Sequence, residues 1–131
     1  MKTKNTISWA LRLTVAVILL QTLYFKFTAH PDSVHIFSAL GLEPWGRIGL
    51  GVVELITAII ILVPTTKMYG ILISLGIILG AVFSHLLVLG LSVKNDGGGL
   101  FALALVVLFS SSTLLIIHKS EFVTLFKITK K

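Results

Sequence analysis

The residues that could do chemistry in this sequence are few, and most of them stand inside apolar runs. Glu54 lies in "GVVELITAIIILVP", residues 51–64, among Val, Leu, Ile, Ala and Thr. His85 lies in "LGAVFSHLLVLGL", while Gln21 and Lys26 fall in "LLQTLYFKF". A carboxylate in hydrocarbon costs roughly 2.5–3.5 kcal/mol on insertion scales, so Glu54 must face other protein and find a partner there. A carboxylate and an imidazole form a proton donor–acceptor pair. Each shifts the other toward its charged form, while burial pushes both toward neutral. Such a pair can hydrogen-bond the carbonyls of a quinone headgroup and pass protons as it is reduced. It can equally line a proton or solute path, or serve as a satisfied polar cluster that fixes helix register.

These side chains need elements to position them. The chain has 131 residues, 56% hydrophobic and 12% charged, with a mean hydropathy of +1.03. A water-facing domain carries about 25% charged residues, so most of this surface is not built for water. Four apolar stretches, Ile7 to Phe25, Ile48 to Val63, Tyr69 to Leu91 and Leu100 to Ile117, each approach the ~20 residues that cross a hydrocarbon core as a helix. The fold class expected is all-α: an integral membrane bundle of four transmembrane helices, about 7–27, 45–63, 69–91 and 98–118, forming one domain over residues 1–131. The first stretch has the basic start of a signal peptide. Arg12 interrupts its apolar run, however, and Phe27 stands where a small residue is wanted for cleavage, so a retained helix is expected.

The net charge of +6 follows from topology and does not call for nucleic acid. Lys2, Lys4 and Arg12 precede or open the first span, Lys67 sits in the second turn, and Lys119, Lys127, Lys130 and Lys131 follow the last span. Four spans put all of these on one side, against Lys26, Arg47 and Lys94 on the other, so both termini are expected in the cytoplasm. Trp9 and Tyr69 then lie at the inner interface and Tyr24 and Trp45 at the outer one, where amphipathic rings prefer to sit. At ~1.5 Å per residue, Glu54 is about 10 Å and His85 about 9 Å below the outer boundary, with Gln21 at comparable depth and Lys26 just above. Arg12 lies near the inner end, apart from this polar layer. Glu54 is expected to pair with His85 or Lys26. Gly51 and Ala58, at i−3 and i+4 from Glu54, imply that another helix or a ligand comes close on that face.

The connections carry signals of their own. "VPTTK" is a tight turn, and "SVKNDGGG" holds Asn95 and Asp96, which can cap the last helix. Between the first two spans, Val34, Phe37 and Leu40 repeat at i, i+3 and i+6 after the helix start Pro31–Asp32–Ser33. This predicts a short amphipathic helix, read as lying on the outer membrane surface in preference to folding back as a lid. Gly76, Gly80 and Ser84 put a small residue at every fourth position of the third span, which predicts close helix packing, first within the chain and otherwise in a homo-oligomer. The end "FVTLFKITKK" reads as a short amphipathic tail or a topology anchor.

With no cysteine, thiol relays, disulfides and iron–sulfur ligation are excluded. Haem needs two histidines at one depth, and His118 lies far from His85. "HPDSVH" spaces His30 and His35 by five, which suits no single helical face, so no metal site is expected. No covalently bound cofactor is implied.

Taken in order, "LLQTLYFKF", "FSALGLEPWGRIGLGVVELITAIIILVP", "LGAVFSHLLVLGL" and "NDGGGLFALALV" resemble the DoxX-like family of small bacterial membrane proteins, over about Arg12 to His118. The resemblance implies a four-helix bundle in a bacterial inner membrane, with Arg12, Lys26, Glu54 and His85 at the family's recurrent polar positions. Many members carry an acidic residue just after the glycines of the last loop; Leu100 and Phe101 stand there in this chain. The family takes its name from a membrane subunit of a thiosulfate:quinone oxidoreductase, and other relatives are associated with oxidative-stress or methylamine-utilisation systems. It implies at most a subunit of a membrane oxidoreductase, quinone-facing or anchoring, with a redox partner protein. Glu54 and His85 would then bind the quinone headgroup, Lys26 and Gln21 would assist, and the Pro31–Gly41 helix would cover the site. The alternative is a non-catalytic scaffold or a small-solute or proton carrier.

Overall fold

The computed structural model of the chain describes residues 2–92 and 97–130, and all regular structure among them is helical. The helices are α1 (Lys2–Phe27), α2 (Pro31–Ala39), α3 (Trp45–Leu62), α4 (Lys67–Ser84), α5 (Gly99–Ile117) and α6 (Lys119–Lys130). The chain is a multi-pass, all-α bundle in which α1, α3, α4 with its extension to Leu89, and α5 are long and apolar enough to cross a membrane. Each packs against the next in the order α1, α3, α4, α5, and α5 closes the ring onto α1. Both described ends of the chain, the α3–α4 turn and α6 share one end, here called proximal; α2 lies at the other, distal end.

The element ends follow the local sequence. α1 runs back to Lys2, five residues before the apolar stretch, because nothing in "KTKNT" breaks a helix. Pro64 ends α3, and Thr66 closes the turn by donating its hydroxyl to the Ile60 carbonyl at 2.7 Å. The fourth span begins at Gly99 after Gly98, which lies in the left-handed region at φ 83°. The capping expected from Asn95 or Asp96 falls outside the described residues. The sequence "HLLVL" continues α4 as a π-helical turn, His85–Leu89, closed by the Gly90 N–H donating to the His85 carbonyl at 2.7 Å. Gly90 then turns the chain at φ 80°, a conformation glycine adopts without a Cβ penalty.

Lipid tails are as apolar as Leu, so a bundle of this kind is held by close packing and buried hydrogen bonds. Val15, Ala16, Leu19, Ala58, Ile61, Ile71, Ile78, Ala104, Val107 and Leu114 form the core, while Leu87, Phe109 and Ile116 face outward. Ser74 and Ser111, both fully buried, share a hydrogen bond of 2.8 Å between α4 and α5. Arg12 Nε donates to the Ile61 carbonyl at 2.6 Å, joining α1 to the last turn of α3, where carbonyls lack helical partners.

Two expectations change here. A Cβ on Gly76 or Gly80 would meet nothing within 4 Å, and Ser84 spends its hydroxyl on the Gly80 carbonyl of its own helix at 2.8 Å. No helix of this chain packs onto that stripe. The close approach occurs at Gly70, where a Cβ would come within 2.7 Å of Ile61 N, Cα and Cβ. The second change concerns α2. It packs against α1, α3 and the π-helical turn, burying Ser33 and Phe37, and so folds back over the distal end as the lid arrangement requires.

Candidate functional site

Beneath α2 the helices leave a cleft of about 620 Å³, lined by α1, α2, α3, α4, the π-helical turn and α5. Its walls are mainly Leu, Ile, Phe and Ala, and its polar groups include Gln21, Thr22, Lys26, Ser33, Glu54 and His85. The cleft thus gathers all four polar residues singled out from the sequence, with Thr22 and Ser33 in addition.

Glu54 is 3% exposed and has its charge balanced within the cleft. Lys26 Nζ lies 3.2 Å from both Oε1 and Oε2, and Thr22 Oγ1 donates to Oε2 at 2.8 Å. Of the two partners expected for Glu54, the structure supplies Lys26 and not His85. Helical spacing explains the cluster: Thr22 and Lys26 are one turn apart on α1 and present adjacent donors to one carboxylate. Gly51 and Ala58 let α1 come close, as their size implies. Ala58 is fully buried, and a Cβ on Gly51 would sit 2.7 Å from the Phe27 ring.

Lys26 is positioned from its backbone as well. Arg47 Nη1 donates to the Lys26 carbonyl, and Arg47 Nε bonds both Glu43 oxygens, at 2.8 and 3.0 Å. Arg47 is 6% exposed, so this i, i+4 pair is a built joint between α1 and the start of α3, not a surface contact. The Glu43–Arg47 spacing is plain in the sequence, but nothing there shows that the pair would hold the end of α1.

His85 opens the π-helical turn, 3% exposed, with its ring centroid 5.3 Å from that of Phe101. Its Nδ1 lies 3.0 Å from the Gly90 carbonyl. A carbonyl only accepts, so Nδ1 carries the proton, and in the neutral ring Nε2 is an acceptor. Nε2 makes no hydrogen bond to any described residue. Lys26 has three N–H groups; one donates to Glu54 Oε2, and Oε1 stands 3.2 Å from the same ammonium. The cleft therefore presents an imidazole acceptor and an ammonium donor inside an apolar wall. Gln21 lines it with an amide that is exposed.

His30 and His35 form no site together. His30 Nδ1 accepts from the Asp32 N–H at 3.2 Å to cap α2 and packs against Phe25, while His35 is exposed. His118 lies at the proximal end beside Ser8, in a second cleft.

Comparison with protein-family models, curated proteins and solved structures finds no match to this chain.

Proposed function

We propose that this chain is a DoxX-like, redox-associated membrane subunit that binds a quinone or quinol headgroup in the distal cleft. One observation carries the reading: Lys26, Glu54, His85 and Gln21 converge on a cavity of about 620 Å³ whose walls are mainly apolar. Cavities of about 300–1,000 Å³ with apolar walls and a few placed polar groups are the usual form of small-molecule sites. A quinol hydroxyl donates to His85 Nε2, and the Lys26 ammonium donates to the second ring oxygen. Glu54 holds that ammonium in place and balances its charge, Gln21 flanks the headgroup, and α2 shields it from water. Oxidation of a bound quinol would release two electrons and two protons. His85 Nε2 would take the proton of the hydroxyl it binds, and the proton of the other hydroxyl would leave to solvent on the exposed Gln21 side of the cleft. The electrons pass to a redox partner protein, since a chain without cysteine provides no thiol or iron–sulfur relay of its own. The same reading places the bundle in a bacterial inner membrane with cytoplasmic termini.

The test is titration of the purified protein in nanodiscs with a quinone analogue, followed by tryptophan fluorescence, in the wild type, Glu54→Gln and His85→Ala. Saturable quenching in the wild type and a dissociation constant raised about tenfold in each variant, about 1.4 kcal/mol, is the expected result, with helicity unchanged by circular dichroism. Quenching that never saturates would assign the Lys26–Glu54 pair to holding the helices together, and the scaffold or carrier reading would replace this one.

A further inference from the structure

The proximal end holds a second cleft, of about 520 Å³, whose lining includes Lys4, Arg12, Lys67, His118 and Glu121. Three cations surround a single carboxylate there. Glu121 Oε2 lies 3.1 Å from Lys67 Nζ and 3.7 Å from His118 Nδ1, and the Glu121 side chain is 47% exposed. His118 Nε2 is 2.8 Å from Ser8 Oγ. Burial, the largest cause, lowers the His118 pKa below 6.5, so the ring is neutral near pH 7 and adds no further charge.

Arg12 separates this cleft from an ordinary basic surface. It is 2% exposed, its guanidinium carbon stands 3.9 Å over the Trp9 ring centroid, and its Nε is spent on the Ile61 carbonyl. Its Nη2 is buried and makes no hydrogen bond to any described residue. A buried charged donor without an acceptor costs more than the net worth of an ordinary hydrogen bond, so such an atom in a cation-rich cleft needs an acceptor from outside the chain. The acceptor must be anionic and must offer several oxygens, because Nη2 and the Lys4 ammonium come to the cleft from different turns of α1 and the Lys67 ammonium from the start of α4. A phosphate group meets both requirements, and guanidinium and ammonium donors are the usual phosphate ligands.

We infer that the proximal cleft is a phosphate-binding site, built on Arg12 with Lys4 and Lys67, for the headgroup of an anionic phospholipid or for a free phosphate. The site is independent of the distal cleft and of any quinone. Glu121, carried on α6, occupies part of the same field and moves aside or shares Lys67 when the anion binds.

Trp9 supplies the reporter. In a Trp45→Phe background, which removes a residue 79% exposed at the distal end, Trp9 is the remaining tryptophan of the chain. The full chain is placed in phosphatidylcholine nanodiscs and titrated with inorganic phosphate; separately, the phosphatidylglycerol fraction of the nanodisc is raised. Saturable change in Trp9 emission with phosphate assigns a free anion, and saturation with phosphatidylglycerol alone assigns a lipid headgroup. Lys4→Gln/Lys67→Gln is expected to raise the half-saturating concentration at least tenfold, while Lys127→Gln, exposed on α6 and outside the cleft, leaves it within twofold. These variants leave Arg12 in place, so the result does not depend on whether Arg12→Gln folds. A response that fails to saturate in both series, or one that Lys127→Gln weakens as much as the double variant, overturns the site in favour of general surface attraction.

Discussion

At the scale of single residues, the question raised by a glutamate in an apolar helix has a physical answer in its partners. Glu54 pairs with Lys26 and accepts from the Thr22 hydroxyl, and Lys26 is itself held through its carbonyl by Arg47. Removing one member of a buried ion pair leaves the other uncompensated, which costs about 3–5 kcal/mol, whereas removing both is often close to neutral. Lys26→Met is therefore expected to lower bundle stability by about 3 kcal/mol, and Lys26→Met/Glu54→Gln to recover most of that loss, as measured by reversible unfolding in mixed micelles. A double variant as unstable as the single one would show that the ion pair is not what Lys26 contributes. The depth of this layer was legible in the sequence, because rise per residue and four apolar runs place Gln21, Lys26, Glu54 and His85 together. The pairing was less so. Nothing in the sequence singles out Thr22, although it stands one turn from Lys26, and depth alone leaves Glu54 with two candidate partners.

The reason for that ambiguity lives at the scale of elements. Depth comes from counting, but which way a side chain points depends on helix rotation, and the π-helical turn at His85–Leu89 changes the rotation of the third span where it carries its histidine. No proline marks the change, and Gly90 is the one local sign of it. The small-residue stripe is ambiguous for a related reason, since the helices of this chain leave it open and only a second copy could pack on it. Gly70 and Gly76 are both glycines in an apolar helix, yet only Gly70 lies where α3 crosses α4, against the backbone of Ile61. A methyl group forced against backbone strains the crossing, so Gly70→Ala is expected to destabilise by about 1–3 kcal/mol. Gly80→Ala meets open space and exchanges a poor helix former for the best one, with an expected gain of up to about 1 kcal/mol. Unfolding midpoints of the two variants in one detergent decide the matter: equal losses would mean that Gly80 is packed against a second chain in the assembled protein.

At the scale of the whole molecule, the two clefts divide the bundle into ends of different electrical character. Lys26 and Arg47, the described distal cations, are both consumed in ion pairs with Glu54 and Glu43. The proximal end carries Lys4, Arg12, Lys67, Lys119 and Lys127, against Glu121 in its cleft. Lys and Arg near helix ends are retained on the cytoplasmic side, so the proximal end is expected to stay in the cytoplasm and the distal cleft to open toward the outer leaflet. A fluorescent-protein fusion after Lys131 is then expected to be bright, and an alkaline-phosphatase fusion at the same point inactive, since the phosphatase needs an oxidising compartment for its disulfides. The opposite pattern would turn the bundle over. It would set the cation-rich cleft against the outer leaflet, remove the anionic cytoplasmic surface as the source of its phosphate, and bring the His85–Lys26 cleft within reach of cytoplasmic electron acceptors. The fusion pair thus fixes which side any redox partner must approach from, before a ligand for either cleft has been identified.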